Sequence, residues 1–362
     1  MTVSSPTKTR LLHVDWMRGL AVVIMIQTHT VDSWLAPALK GGWLFRHSQL
    51  LGSFPAPCFL FLAGLSAALG YRKVLEAPGS EGRRLWLSLR RGLQIFGFAL
   101  LFRLQEFVQW TSWGGWRDFF KVDMLNTIGL SLALVGVVLF AVRRFRARII
   151  VLAGLWLLTG LAAPAAWGWT PLDRLPWMVR NYFSGTFAPG TFPLFPWFGF
   201  APAGAAVGLL VGRWRNDRRR MAVLALASVA AGIAMIVLAR LATLYAAHPA
   251  NWSFWHNAPE YFFIRSGILL ATLGICYFLC LPFKPESFSW MRLFGRHSLV
   301  VYWVHIDLTY GRLLGALKGS MGPAGALAGT AAMTVAMLLL SWLIENWRTV
   351  IPRTGLPGKR AA

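Results

Sequence analysis

The chain has 362 residues, 56% of them hydrophobic and only 14% charged, with 19 Trp, 25 Phe and a mean hydropathy of +0.54. So apolar a sequence excludes an ordinary soluble domain of that length and makes the lipid bilayer the expected solvent. The net charge of +23 does not by itself point to nucleic acid, because the cations sit in short clusters between apolar runs and not along one face or tail, so no nucleic-acid partner is expected.

The chain opens with Lys8 and Arg10 ahead of an apolar stretch and Ala36-Pro37-Ala38 after it, a loose imitation of a secretory signal. His29 and Asp32 interrupt that stretch and further runs follow, so it reads as a retained first span that also directs insertion. Apolar runs of spanning length lie at 16–36, 52–71, 89–109, 122–142, 148–167, 192–212, 221–245, 259–282, 297–316 and 324–347. Backbone amides in hydrocarbon must be satisfied within their own segment, and no alternating strand pattern is present, so the runs predict helices. The expected fold is all-α: a polytopic transmembrane bundle of about ten spans, one integral-membrane domain over residues 1–362. Cys58, Cys276 and Cys280 all lie inside apolar runs, which suits small core residues and not a disulfide framework.

Most of the 36 Lys and Arg fall in one alternate set of segments, including Arg18, the stretch with Arg83, Arg84, Arg90 and Arg91, and the clusters at 143–148 and 213–220. Cytoplasmic loops retain Lys and Arg, so that set faces the cytoplasm, and an even number of spans puts both termini there. The expected location is the bacterial inner membrane, crossed many times. The loops at 168–191 and 246–258, rich in Trp, Pro and Gly, then face outward, where amphipathic rings suit the headgroup level.

Ionisable side chains within spans are costly and invite a functional reading, with a structural ion pair as the plain alternative. His29 and Asp32 are three residues apart and share a helical face near the outer end of the first span. His47 follows in the first outer loop, Arg103 and Glu106 share a face of the third span, Asp123 and Asn126 open the fourth, and His256 and Glu260 precede the eighth. Each also has a plain role: His29 could pack helices, Arg103 and Glu106 could form a structural bridge, and Asp123 could cap its helix. His305 and Asp307, near the middle of the ninth span, could bond neighbouring helices or form a proton path. HExxH, CxxC, GxSxG, P-loop and GxGxxG patterns are absent from the sequence, which disfavours metal, serine-hydrolase and nucleotide-binding chemistry.

Several stretches carry a specific likeness: VDWMRGLAVVIMIQTH (14–29), FRHSQLLGSFPAPCFLFLAGLSAAL (45–69), VDMLNTIGLSL (122–132), FPLFPWFGFAPAGAAVG (192–208), APEYFFIRSGILL (258–270) and FGRHSLVVYWVH (294–305). In matching order over nearly the whole chain, they resemble bacterial membrane proteins grouped with the catalytic domain of heparan-alpha-glucosaminide N-acetyltransferase. The resemblance implies a helical membrane domain that moves an acetyl group from cytosolic acetyl-CoA to a sugar amine on the far side. It matches His47 to the essential histidine of the loop between the first two core spans. The lysosomal enzyme has asparagine where this chain has His29, so two histidines compete for the role of base.

On that reading, His47 or His29 would deprotonate the acceptor or carry the acyl group, oriented by Asp32 or Asp123. Asn126, Arg103 or Arg265 would steady the developing oxyanion, with Glu106 and His256 beside the acceptor. Arg18 with Arg83, Arg84, Arg90 and Arg91 would hold the phosphates of the donor. The implied partners are the bilayer, acyl-CoA and a glycan or sugar acceptor, and a homodimer is compatible with this. The rival reading is a transporter or export factor for a small anionic or sugar-linked substrate, which Pro55, Pro57, Pro193, Pro196 and Pro202 in the second and sixth spans leave open.

Overall fold

A computed structural model describes residues 11–76, 78–110, 119–185, 192–245, 248, 252–284 and 288–350. In chain order the helices are α1 (Leu12–Trp34), α2 (Trp43–Gly52), α3 (Pro55–Leu75), α4 (Glu81–Trp110), α5 (Met124–Ala141), α6 (Phe145–Leu161), α7 (Ala163–Trp167), α8 (Trp177–Arg180), α9 (Leu194–Trp197), α10 (Phe200–Trp214), α11 (Arg218–Tyr245), α12 (Pro259–Cys280), α13 (Trp290–Tyr310) and α14 (Pro323–Val350). Among the described residues the extended pairing is one isolated bridge, Leu35 with Met321. Proline opens α3, α12 and α14, where its missing N–H is one the first turn leaves unbonded anyway.

The all-helical membrane character expected from the runs is therefore present. Among the described residues seven segments are long and apolar enough to cross a membrane: Trp43–Leu75, Glu81–Gln109, Met124–Ala141, Leu194–Trp214, Arg218–Tyr245, Pro259–Cys280 and Pro323–Trp347. The run at 148–167 falls on a pair bent by 57°, Phe145–Leu161 with Ala163–Arg174. The runs at 16–36 and 297–316 fall on α1 and α13, which have 23 and 21 residues. Polar side chains, among them His29, Asp32 and His305, dilute these two below the hydropathy of the others.

The chain divides into two compact units, one of Met1–Gly52 with Lys284–Ala362 and one of Ser53–Phe283. In the first, α1 and α13 run parallel and meet through glycine: a β-carbon on Gly19 would lie 2.0 Å from the Met291 carbonyl oxygen, and one on Gly295 would lie 2.1 Å from that of Asp15. Small residues are what let backbones approach so closely in lipid. Further along, Ser33 Oγ donates to the Thr309 carbonyl at 2.7 Å, and Trp34 Nε1 donates to the same oxygen at 3.3 Å. The start of α14 is tied to the end of α1 by Met321 N–H to Trp34 O and Ala36 N–H to Met321 O, both 2.9 Å. Near its far end Glu345 accepts from Arg296 and meets His297 Nε2 at 2.8 Å. α13 breaks its helical geometry at that histidine.

In the second unit α3 packs on α10 through Gly64, Gly204 and Gly208, and α11 packs on α12 through Gly232 and Gly267, whose backbones face each other. Phe61, Phe102, Phe200 and Phe262 fill the interior. At Phe195 the chain leaves helical geometry (φ −100°, ψ 115°), and the indole of Trp167 donates to the freed Phe195 carbonyl at 2.8 Å. A freed carbonyl at membrane depth needs such a partner.

Candidate functional site

The parallel packing of α1 and α13 brings two histidines together. His29 Nδ1 lies 2.9 Å from His305 Nε2, and the rings differ by 1° in plane, so the contact is an in-plane hydrogen bond. His305 Nδ1 lies 2.7 Å from the Val301 carbonyl oxygen. A carbonyl only accepts, so His305 carries its proton on Nδ1. In the neutral ring its Nε2 is then an acceptor, and His29 must donate from Nδ1. That assignment, made from the network, leaves the Nε2 of His29 bearing a lone pair with no partner among the described residues. His305 is fully buried, whereas His29 is only partly so.

Asp32, one turn beyond His29, accepts from the Tyr310 hydroxyl at 2.9 Å and faces Lys40 Nζ at 3.6 Å. It bonds neither imidazole. It holds Tyr310, whose ring edge stands against His29 with centroids 5.7 Å apart. Lys318, in the loop after α13, donates to the Tyr310 carbonyl, and burial pulls its ammonium below the usual lysine range. Of the two carboxylates expected to orient an imidazole, Asp32 meets Tyr310 and Asp123 lies in the other unit, and the group in contact with the His29 ring is His305. Its signal in the sequence is a titratable group in mid-span whose partner the sequence does not name.

His47 sits elsewhere on the same unit. It is exposed on α2, bonded through Nδ1 to the Trp43 carbonyl of its own helix at 2.8 Å and lying against the Trp43 ring. Its neighbour Ser48 is the buried one, accepting through its carbonyl from Thr28 at 3.3 Å. Nearer the amino end of α1, Arg18 divides its guanidinium between Asp15 and the Gly295 carbonyl, both at 3.5 Å.

The second unit assembles Arg103, Glu106, Asp123 and Asn126. Arg103 pairs with Glu106, and its Nε is 3.2 Å from Asp123. Asp123 also caps α5: its Oδ1 accepts from Asn126 N–H at 2.8 Å, while Asn126 Oδ1 accepts from Asp123 N–H at 3.2 Å. Their polar atoms are therefore largely engaged in holding the start of α5. His256 is exposed and bonded to Ser253 Oγ at 2.9 Å, and Glu260 accepts from Trp252 at 3.2 Å. Arg83, Arg90 and Arg91 are exposed at the start of α4, with Arg84 half-buried among them.

Arg265 is different from the other buried cations. It is largely buried on α12, and among the described residues no carboxylate pairs with it. Its guanidinium lies 3.9 Å from the Tyr261 ring centre and 5.0 Å from that of Trp197. Such ring contacts contribute about 0.5–2 kcal/mol each, less than the several kcal/mol that withdrawing an ion from water costs.

Residues 10–250 match the family model described as heparan-alpha-glucosaminide N-acetyltransferase, catalytic. The match takes in α1 with His29 and stops before α12, α13 and α14. No curated protein matches the chain.

Proposed function

Because the chain belongs to the heparan-alpha-glucosaminide N-acetyltransferase catalytic family, we propose that this multi-pass membrane protein moves an acetyl or other acyl group from cytosolic acyl-CoA to an amine or hydroxyl of an extracytoplasmic sugar or glycan. About ten spans in a bacterial inner membrane, with both termini in the cytoplasm, complete the proposal. The uneven distribution of Lys and Arg between alternate segments supports that orientation.

The observation that carries the chemistry is the bare Nε2 of His29, held in that tautomer by His305 and Val301. In the proposed reaction that nitrogen takes the proton of the acceptor N–H or O–H as the acceptor attacks the thioester carbonyl carbon. The tetrahedral intermediate collapses with cleavage of the C–S bond. The imidazolium returns its proton to the departing thiolate, leaving free CoA and the acylated acceptor. Throughout, His29 Nδ1–H stays bonded to His305, a positioning residue that touches no reactant. An acyl-His29 intermediate would use the same nitrogen.

Arg18 supports entry of the donor from the cytoplasmic end. It is partly exposed and lies on α1 about 16 Å below His29, at ~1.5 Å per residue, a span comparable with an extended pantetheine arm. The test is transfer from labelled acetyl-CoA to glucosamine by the purified protein. His29→Ala is expected to lower the rate about 100-fold or more, and His47→Ala to leave most of it. Unchanged transfer in His29→Ala would overturn the mechanism.

The bent pair Phe145–Leu161 with Ala163–Arg174 and the break at Phe195 favour transport as a second reading, since discontinuous helices line many transporter sites. Substrate uptake into proteoliposomes without any acyl donor would support it over acyl transfer.

A further inference from the structure

The second unit carries a buried cation that no carboxylate among the described residues answers, its side-chain partner being the neutral Tyr261. Arg265 is two turns inside the Pro259 end of α12, and its Nε is withdrawn from solvent without a hydrogen-bond acceptor among the described residues. Other buried or half-buried arginines in that unit are answered: Arg103 meets Glu106 and Asp123, and Arg148 donates to the Val142 carbonyl. Around Arg265 the rings of Tyr261 and Trp197 flank the guanidinium. Ring contacts do not use up all of a guanidinium's N–H groups, and with one side turned to Tyr261 the Nε side of Arg265 still has a donor to offer a carboxylate or phosphate.

Trp197 adds to this. It ends the short helix α9, which is itself broken at Phe195, and its indole N–H has no partner among the described residues. Phe192 packs edge-on against it at 4.9 Å and fixes the ring. Both Arg265 and Trp197 keep some exposed surface, so a small group could reach them.

We propose that Arg265, with Trp197 and Tyr261, forms an oxyanion-binding subsite that takes a carboxylate or phosphate group of a small ligand. The proposal stands apart from the acyl-transfer reading and fails separately from it. One chemistry has two sources here, an anionic sugar or a lipid headgroup, and the test separates them.

The full-length protein in detergent is titrated with glucuronate, glucose 1-phosphate and glucose, following thermal unfolding. Native mass spectrometry compares phosphatidylglycerol with phosphatidylcholine. The expected result is stabilisation by the anionic sugars and not by glucose, or retention of phosphatidylglycerol over phosphatidylcholine, which identifies the source. Arg265→Gln should weaken that binding on the order of 10- to 100-fold, and Arg265→Lys should recover part of it. Circular dichroism and gel filtration check that the variants fold. If Arg265→Gln does not fold, Trp197→Leu serves in its place and should weaken the same anion while the charge is kept. Equal binding of anionic and neutral probes by wild type, or unchanged anion affinity in the folded variant, would overturn the subsite.

Discussion

The Val301 carbonyl decides the protonation of two side chains on different helices, because an oxygen that only accepts forces the proton of His305 onto Nδ1 and, one bond further, that of His29 onto its own Nδ1. Removing the acceptor should therefore slow the proposed transfer without removing the proposed base. His305→Phe is expected to lower kcat by about tenfold or more with KM little changed, and His305→Gln, which keeps an acceptor oxygen, to recover part of the loss. The wild-type rate should fall with acidification, since a protonated imidazole cannot take the acceptor's proton, and the profile should move in His305→Phe. A purely structural role would reduce the yield of folded protein and leave the rate per folded molecule and its pH profile alone. The spacing of His29 and Asp32 was legible as one helical face. The identity of the partner was not, because it lies 276 positions later and no local pattern encodes a contact at that distance.

Helices in lipid gain little from burying apolar surface against each other, so which pairs form depends on how closely the backbones fit. A β-carbon on Gly204 would lie 1.8 Å from the Phe61 carbonyl oxygen, whereas one on Gly70 meets nothing within 4 Å. Gly204→Val should force α10 away from α3 and abolish a monodisperse, cooperatively unfolding sample, and Gly70→Ala should be tolerated. Thermal unfolding and gel filtration in detergent make the comparison, and equal stability of the two variants would contradict the packing described. The apolar runs announced the helices because twenty or so hydrophobic residues have few other stable forms in a bilayer. They announced α1 and α13 less clearly in hydropathy, since the faces these helices turn to each other are polar. Pro193 and Pro196, singled out in the sequence, flank the break at Phe195, but a proline alone does not say by how much a helix turns; the bend after Leu161 had no such expectation attached to it.

The first unit joins the beginning of the chain to its end, with the whole second unit inserted between. For the proposed orientation, Trp255, exposed in an outer loop, and Arg215, exposed in an inner one, give a direct check. Trp255→Cys should react with a membrane-impermeant maleimide in intact cells and Arg215→Cys only after lysis; the three native cysteines are buried. The reverse pattern would invert the topology. Composition and the period of apolar runs determined by themselves that this protein is helical and lives in a membrane, and the motif around Met17-Arg18-Gly19 pointed to its family, because each of these is a property of contiguous residues. The tertiary structure alone decided that His29 meets His305, that Asp32 accepts from Tyr310, and that Arg265 lies against Tyr261 and Trp197. Those are matters of which helix faces which, set by close backbone fit between segments far apart in the chain.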